Sequence, residues 1–361
     1  MSAALFAALA PALQAPDPLG SAPGEGSPFG SAARPPRLGF LGVGWIGRHR
    51  MEAICRSGVA DIVAIADAAP DMRDAAGVLV PEAARLDSLA SLLDAGLDGL
   101  VIATPSAMHS QQAEAALARG IAVFCQKPLA RSVAETRAVV NAARRADRLL
   151  GLDLSYRHTA AMRHIREQVA SGAIGEVFAV DLVFHNAYGP DKPWFRDPLL
   201  SGGGCVIDLG IHLVDLALWS LGFPKVTHVS SRLHAGGNRL VLPSSQVEDH
   251  AVAQFDLVNG CVVRLACSWN LPAGRDAVIE ATFHGTQGGA ALRNVDGSFY
   301  DFVAERFDGT RSTQLSAPPD DWGGRAAVAW ACALAQGRGG FDAEAERFID
   351  VAEVLDAIYA R

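Results

Sequence analysis

Read along the chain, hydrophobic positions fall into two regimes. From residue 37 to about 154, short continuous apolar runs alternate with segments of helical spacing. The runs at 38–42, 62–66, 99–103, 122–125 and 149–154 predict buried strands. The stretches at 45–57, 88–95, 107–119 and 133–146 predict helices. Strand and helix in alternation imply a parallel sheet covered on both faces. From residue 176 the apolar positions alternate over longer stretches, at 177–187, 226–234, 251–257, 261–270 and 278–284. Turn pairs such as Asn259-Gly260 and Gly288-Gly289 separate some of them. This predicts a mixed or mostly antiparallel sheet with one long helical insertion near 205–221 and an amphipathic helix over 344–359.

The expected fold is therefore an α/β domain of the doubly wound, Rossmann type followed by an α+β domain with a large open-faced sheet. Residues 37–155 form the first and 156–361 the second, whose C-terminal helix can pack back on the first. A length of 361 residues agrees with about two domains. Residues 1–36 stand apart: a short apolar start (3–13) leads into a Pro/Gly/Ser/Ala stretch, which reads as a flexible tail.

Composition narrows the partners. The net charge of −8, without long basic runs, argues against nonspecific nucleic-acid binding. Apolar runs stop short of the ~18 residues that span a bilayer, so no membrane partner is expected. The six cysteines (55, 125, 205, 261, 267 and 332) contain no C-x-x-C pair and lie in apolar surroundings. They read as small buried hydrophobes in a reducing, cytoplasmic compartment. Lysine is scarce: 31 Lys+Arg less Lys127, Lys192 and Lys225 leaves 28 arginines. That bias is genomic, yet it lets each lysine be weighed alone.

Candidate chemistry begins at Gly42-Val43-Gly44-Trp45-Ile46-Gly47, a G-x-G-x-x-G between a strand and a helix, with Asp67 20 residues beyond the last glycine. In that setting the first glycine allows the tight turn, the second lets a pyrophosphate approach, and the third packs the helix against the strand. Asp67 would accept hydrogen bonds from ribose hydroxyls and repel a 2′-phosphate, which favours NAD over NADP. The nearby Arg73 leaves NADP open. Thr104, Pro105 and His109 follow the third strand, at the carboxyl edge where such sheets bind ligands. His109 reads equally as a solvent-facing helix residue. Gln126-Lys127-Pro128 follows the next strand. Lys127 there either polarises a substrate oxygen, exchanges a proton, or is an ordinary turn lysine.

In the second half, Gly202-Gly203-Gly204 precedes Asp208, Gly210, His212 and Asp215. On a helix, Asp208 and His212 share a face, which suits a base oriented by a carboxylate. The same pair also suits a structural hydrogen bond. A metal site is not expected, since no third ligand stands at a recognisable spacing.

With these elements in this order, the chain from about residue 37 to its end resembles the glucose–fructose oxidoreductase, inositol dehydrogenase and rhizopine-catabolism family (Gfo/Idh/MocA). That family's Glu-Lys-Pro motif stands here as Gln126-Lys127-Pro128, and its Asp-x-Gly-x-His-x-x-Asp motif as Asp208, Gly210, His212 and Asp215. Tyr156-Arg157 and residues 171–176 are similar to the stretch joining the family's two domains. The resemblance implies an NAD(P)-dependent dehydrogenase acting on a hydroxyl carbon of a sugar, inositol or related polyol, assembled as a homodimer or homotetramer through the second-domain sheet. It implies Lys127, Asp208 and His212 as the catalytic set, with His212 taking the hydroxyl proton and Asp208 holding His212. It also places Thr104, Pro105, His109 and Gln126 about the nicotinamide end of the cofactor. An amide at 126 keeps hydrogen bonding there but not the charge.

Tyr156, Arg157, His185, Asn186, Trp194 and Arg196 are expected to join Lys127 and His212 around the substrate, because aromatic and hydrogen-bonding side chains suit a polyol. Trp194 and Arg196 read equally as packing residues of a surface loop. A nucleotide-binding sensor without catalysis and an NAD-dependent glycoside hydrolase of the same fold are the competing readings. Lys127 and His212 together argue against the sensor.

Overall fold

The computed structural model describes residues 34–360; the expected tail lies outside them except for its last three residues, of which Arg34 already reaches Asp98. The first sheet has six parallel strands in the order β3-β2-β1-β4-β5-β6: β1 (Arg37–Leu41), β2 (Asp61–Ala66), β3 (Ala84–Leu86), β4 (Gly99–Ile102), β5 (Ala122–Cys125) and β6 (Leu150–Leu152). Strand order reverses between the paired strands β1 and β4, so the connections leaving their carboxyl ends run to opposite sides, the place where such sheets bind ligands. Strands β4 and β5 are buried throughout and β1 from Leu38 onward, as their unbroken apolar runs require.

Helices α1 (Trp45–Ser57), α2 (Pro70–Gly77), α3 (Leu89–Leu93), α4 (Ser106–Ala118) and α5 (Val133–Ala146) connect these strands. The start of α5 shows why a helix begins where it does. The Ser132 hydroxyl accepts from the Glu135 N–H, and the Glu135 carboxylate accepts in turn from the Arg131 N–H. This reciprocal cap is worth about 0.5–2 kcal/mol.

After α6 (Ala160–Ala170), nine strands form the second sheet in the order β15-β14-β13-β12-β7-β11-β10-β8-β9. In chain order these are β7 (Val177–Asn186), β8 (Val226–Ala235), β9 (Asn238–Arg239), β10 (His250–Leu257), β11 (Val262–Ser268), β12 (Ala277–Gly285), β13 (Gly288–Asn294), β14 (Phe302–Asp308) and β15 (Arg311–Ser316). Only the β7–β11 pair is parallel, so the sheet is mixed. The last three strands lie beyond the elements the hydrophobic pattern predicts. On β7, Val180, Leu182 and Phe184 are buried while Asp181, Val183 and His185 face the other side, the alternation of a sheet covered on one face.

The covering layer includes α6, the helix α7 (Ile211–Ser220) and the C-terminal helix α9 (Arg347–Ile358). Helix α9 also packs on α5, where Asp356 accepts from the Val133 N–H at 2.9 Å. Helix α8 (Arg325–Ala335), which the hydrophobic pattern does not reveal, leaves the second sheet and lies on α1. Its Ala327, Trp330 and Ala331 share a core with Leu38, Phe40, Met51 and Ile54 of the first sheet and its helix.

Two expectations from composition need correction. By length and composition the stretch 198–220 is apolar enough to cross a bilayer, although the bends at 202–204 interrupt its helix. Most of it is buried and it includes the core helix α7, so its hydrophobicity serves packing. The cysteines are all free, but only four are buried; Cys55 is exposed and Cys332 partly so.

Candidate functional site

At the carboxyl edge of the first sheet the three glycines differ in what surrounds them. Gly42 has φ +83° and donates its N–H to the Ala66 carbonyl. A Cβ on Gly47 would stand 2.2 Å from the Gly42 carbonyl oxygen, so only glycine lets α1 start this close to β1. A Cβ on Gly44 would meet nothing within 4 Å. The turn is thus closed at both ends and open in the middle, at a helix N-terminus whose N–H groups and dipole favour an anion. Asp67 accepts from the N–H groups of Val43 and Ala69, both at 2.9 Å, which anchors the glycine turn to the end of β2. A carboxylate has about four acceptor sites, so capacity remains for hydroxyl donors. Arg73 donates to the Asp67 carbonyl. These residues fit a dinucleotide of the NAD class.

His109 is fully buried, which corrects the reading of a solvent-facing helix residue. One ring nitrogen faces the Pro128 carbonyl and the other the Thr104 carbonyl, each at 2.7 Å. The ring therefore ties the loop after β4 to the loop after β5. Burial, aided by Lys127, outweighs those two carbonyls and lowers its pKa. Thr104 spends its hydroxyl on the Gln112 side chain.

Lys127 donates from Nζ to both the carbonyl and the Oδ1 carboxylate oxygen of Asp208, each at 2.6 Å, 81 residues away in sequence. The Trp269 indole donates to Asp208 Oδ2 at 3.0 Å. Asp208 therefore holds Lys127, not His212. The reason is local: residues 206–210 form a π-turn, whose longer repeat breaks the one-turn register that pairs i with i+4. His212 instead packs against Tyr156, ring centroids 4.8 Å apart, with Nδ1 buried and lacking a hydrogen-bond partner among the described residues. Burial foremost, then the charges of Lys127 and Arg50, holds its pKa well below the usual imidazole range. His212 is neutral at physiological pH, the state a proton acceptor needs. On its other sides Tyr156 packs against Trp322, Phe302 and Phe184.

Next to Lys127, Gln126 donates to Asp153 Oδ2, which also accepts from Arg50 Nε at 2.6 Å. All three are buried. Sequence spacing held no clue to Arg50, Asp153, Trp269 or Trp322. Each arrives from a different element, and none stands in a motif.

Two residues expected at the substrate have partners within the protein. Arg157 makes a bidentate pair with the buried Asp215 and rests against the rings of Trp219 and Phe223, so its charge is consumed structurally. His185 points from β7 to the opposite face from Phe184, bonds Ser268 and stacks on His250. Asn186 ends β7 with its side chain accepting from the Tyr188 N–H. Trp194 stacks on Phe195, which meets the edge of Trp269 and so lies two rings from Asp208. Arg196 is exposed beside Gly189.

Residues 37–154 match the model of an oxidoreductase family with an NAD-binding Rossmann fold, and residues 162–291 match the GFO/IDH/MocA C-terminal domain. A D-apiose dehydrogenase of Paraburkholderia graminis is 30% identical over 81% of this chain and 74% of its own length. The chain belongs to the Gfo/Idh/MocA oxidoreductase family. Another relative, a putative UDP-kanosamine synthase oxidoreductase subunit of Amycolatopsis mediterranei, is 31% identical over 71% of this chain and 75% of its own. Among solved structures of the same fold, levoglucosan dehydrogenase in complex with NADH superposes with a TM-score of 0.77 at 21% identity, covering 91% of this chain and 96% of that one. GenD2 from gentamicin A biosynthesis, in complex with NAD, gives 0.76 at 23% identity, covering 93% and 97%.

Proposed function

We propose that this oxidoreductase oxidises a hydroxyl carbon of a sugar, cyclitol or related polyol, or reduces the matching ketone, with Lys127 and His212 as the groups that meet the reacting oxygen. The observation that carries the reading is the meeting of Lys127, at the end of a cofactor-domain strand, with Asp208 and His212 of the second half. NAD, when bound, supplies the hydride acceptor or donor; Gly42, Gly44, Trp45, Ile46, Gly47 and Asp67 would hold its pyrophosphate and ribose, and Thr104, Pro105 and Gln126 its nicotinamide end. Lys127, charged and fixed by Asp208, stabilises negative charge on the substrate oxygen. His212 accepts the hydroxyl proton at Nε2, since Nδ1 is sealed inside the protein. Trp194, stacked on Phe195 through one face, offers a flat apolar face to a sugar ring.

The sugar class is supported by relatives whose names are those of sugar and inositol dehydrogenases. Residues 37–155 are assigned to cofactor binding and 156–361 to substrate binding and assembly. A homodimer or homotetramer through the open face of the second sheet is supported by the partly exposed Val183, Val252, Val262 and Val278 on that face. Six free cysteines support a cytoplasmic setting.

Mixing the protein with NAD and a panel of aldoses, glycosides and inositols while following reduced-cofactor absorbance tests the reading. Turnover with at least one of them is expected, abolished by Lys127→Ala or His212→Asn with cofactor binding retained. Normal rates in either variant refute the roles.

A further inference from the structure

We propose that Glu248 is a positioning residue for the Lys127–Asp208 pair, acting through the first turn of the helix that carries Asp208. The proposal rests on the reading of Lys127 and Asp208 as the polar centre of the reaction. Glu248 is 1% exposed. Its carboxylate accepts the N–H of Gly204 on both oxygens at 3.0 Å, the N–H of Val206 at 2.9 Å and the hydroxyl of Tyr359 at 2.7 Å. Its own carbonyl accepts the Cys205 N–H at 3.0 Å. Every amide from 204 to 206 therefore ends on this one residue.

The fit explains the glycine run. A Cβ on Gly204 would stand 1.8 Å from the Glu248 carbonyl oxygen, and one on Gly203 would stand 2.1 Å from the Tyr359 hydroxyl oxygen. Asp208 follows directly: its N–H donates to the Gly204 carbonyl at 3.1 Å, and its own carbonyl and carboxylate both hold Lys127. The second support of Asp208 starts from the same place. Trp269, whose indole binds the other carboxylate oxygen, donates its backbone N–H to the carbonyl of Asp249 at 2.7 Å. Residues 248–249 thus set both the turn that presents Asp208 and the indole that orients it. Four hydrogen bonds to one buried carboxylate, with N–H donors at a helix N-terminus, require an anion or a pure acceptor. An amide that kept its oxygen on Val206 and Tyr359 would turn its NH2 toward the Gly204 N–H.

Because the chain has three lysines, amine acetylation followed by peptide mass spectrometry reads Lys127 against two internal references, the exposed Lys192 and Lys225. In the native protein Lys127 is expected to react slowest. Asp208→Asn, which removes its anion directly, should speed Lys127 alone. Glu248→Gln should do the same by about fivefold, the factor that corresponds to one net hydrogen bond of about 1 kcal/mol. Tyr359→Phe removes one of the four bonds and should give a smaller rise in the same direction; it decides the matter if Glu248→Gln does not fold. Unchanged Lys127 labelling in the folded Glu248 or Tyr359 variant, with a rise in Asp208→Asn, overturns the proposal. So does a parallel rise in all three lysines, which marks general loosening. No rise in Asp208→Asn would instead refute the Lys127–Asp208 pairing on which the proposal stands.

Discussion

Asp215→Asn separates a structural Arg157 from a substrate-binding one. Asp215 is 2% exposed and Arg157 15% at the side chain, and two hydrogen bonds join them. Removing the carboxylate charge leaves a buried guanidinium without its anion, a change that costs about 3–5 kcal/mol in comparable sites. The rings of Trp219 and Phe223, 5.9 and 5.5 Å from the guanidinium carbon, still receive the cation and offset about 1 kcal/mol of that. A loss near 3 kcal/mol is therefore expected, or roughly 6–12 °C in Tm for a unit of this size. Burial also outweighs the guanidinium and pushes the Asp215 carboxyl above its ordinary range, so the pair does not stabilise beyond what apolar packing would. Hence the double variant Arg157→Leu/Asp215→Leu should regain most of the loss. Far-UV circular dichroism melts of the two variants measure both effects. A single variant melting within 2 °C of the parent (roughly the effect of 1 kcal/mol or less) would refute the argument, and a double variant as unstable as the single would refute its second half.

Gly44→Ala should leave Tm unchanged and weaken NAD binding by about tenfold or more, since the added methyl enters only the space a pyrophosphate would use. Gly47→Ala should lower both, as its Cβ collides with the Gly42 carbonyl; calorimetric titration beside a thermal melt distinguishes the two. Gln126→Glu sets a second carboxylate against Asp153, and a shared proton is the relief such pairs find. The new acid is expected to titrate high in the folded state, so the variant's Tm deficit should grow from pH 5 to pH 8. His185→Ala, on the far face of the sheet, should leave kcat/KM for the identified substrate unaltered; a loss confined to KM would place the ring in the pocket after all.

The cofactor crevice was legible because its determinants are local: three glycines and Asp67 act within 26 residues, and a continuous apolar run has few alternatives to a buried parallel strand. Side-chain partners were less so. Lys127 and Asp208 each stand out in sequence, yet a π-turn moves Asp208 out of register with His212 and toward a lysine 81 residues away. His185 shows the same limit in a strand. Alternation separates it from Phe184 but does not say which face meets the substrate. Gly202-Gly203-Gly204 was visible as a motif without a purpose, because its reason lies in Glu248 and Tyr359.

Helix α8 has a consequence for the order in which the molecule is made. Trp330 and its alanine neighbours seal the face of the first sheet formed by Leu38 and Phe40, yet the ribosome delivers them about 300 residues later, some 15–60 s at ordinary elongation rates. Through that interval the nascent cofactor half presents an unsealed apolar face to the cell. A fragment ending near residue 155 would keep that exposure permanently. The two halves are thus consecutive in sequence and interlocked in assembly, and the first is finished only when the second nearly is.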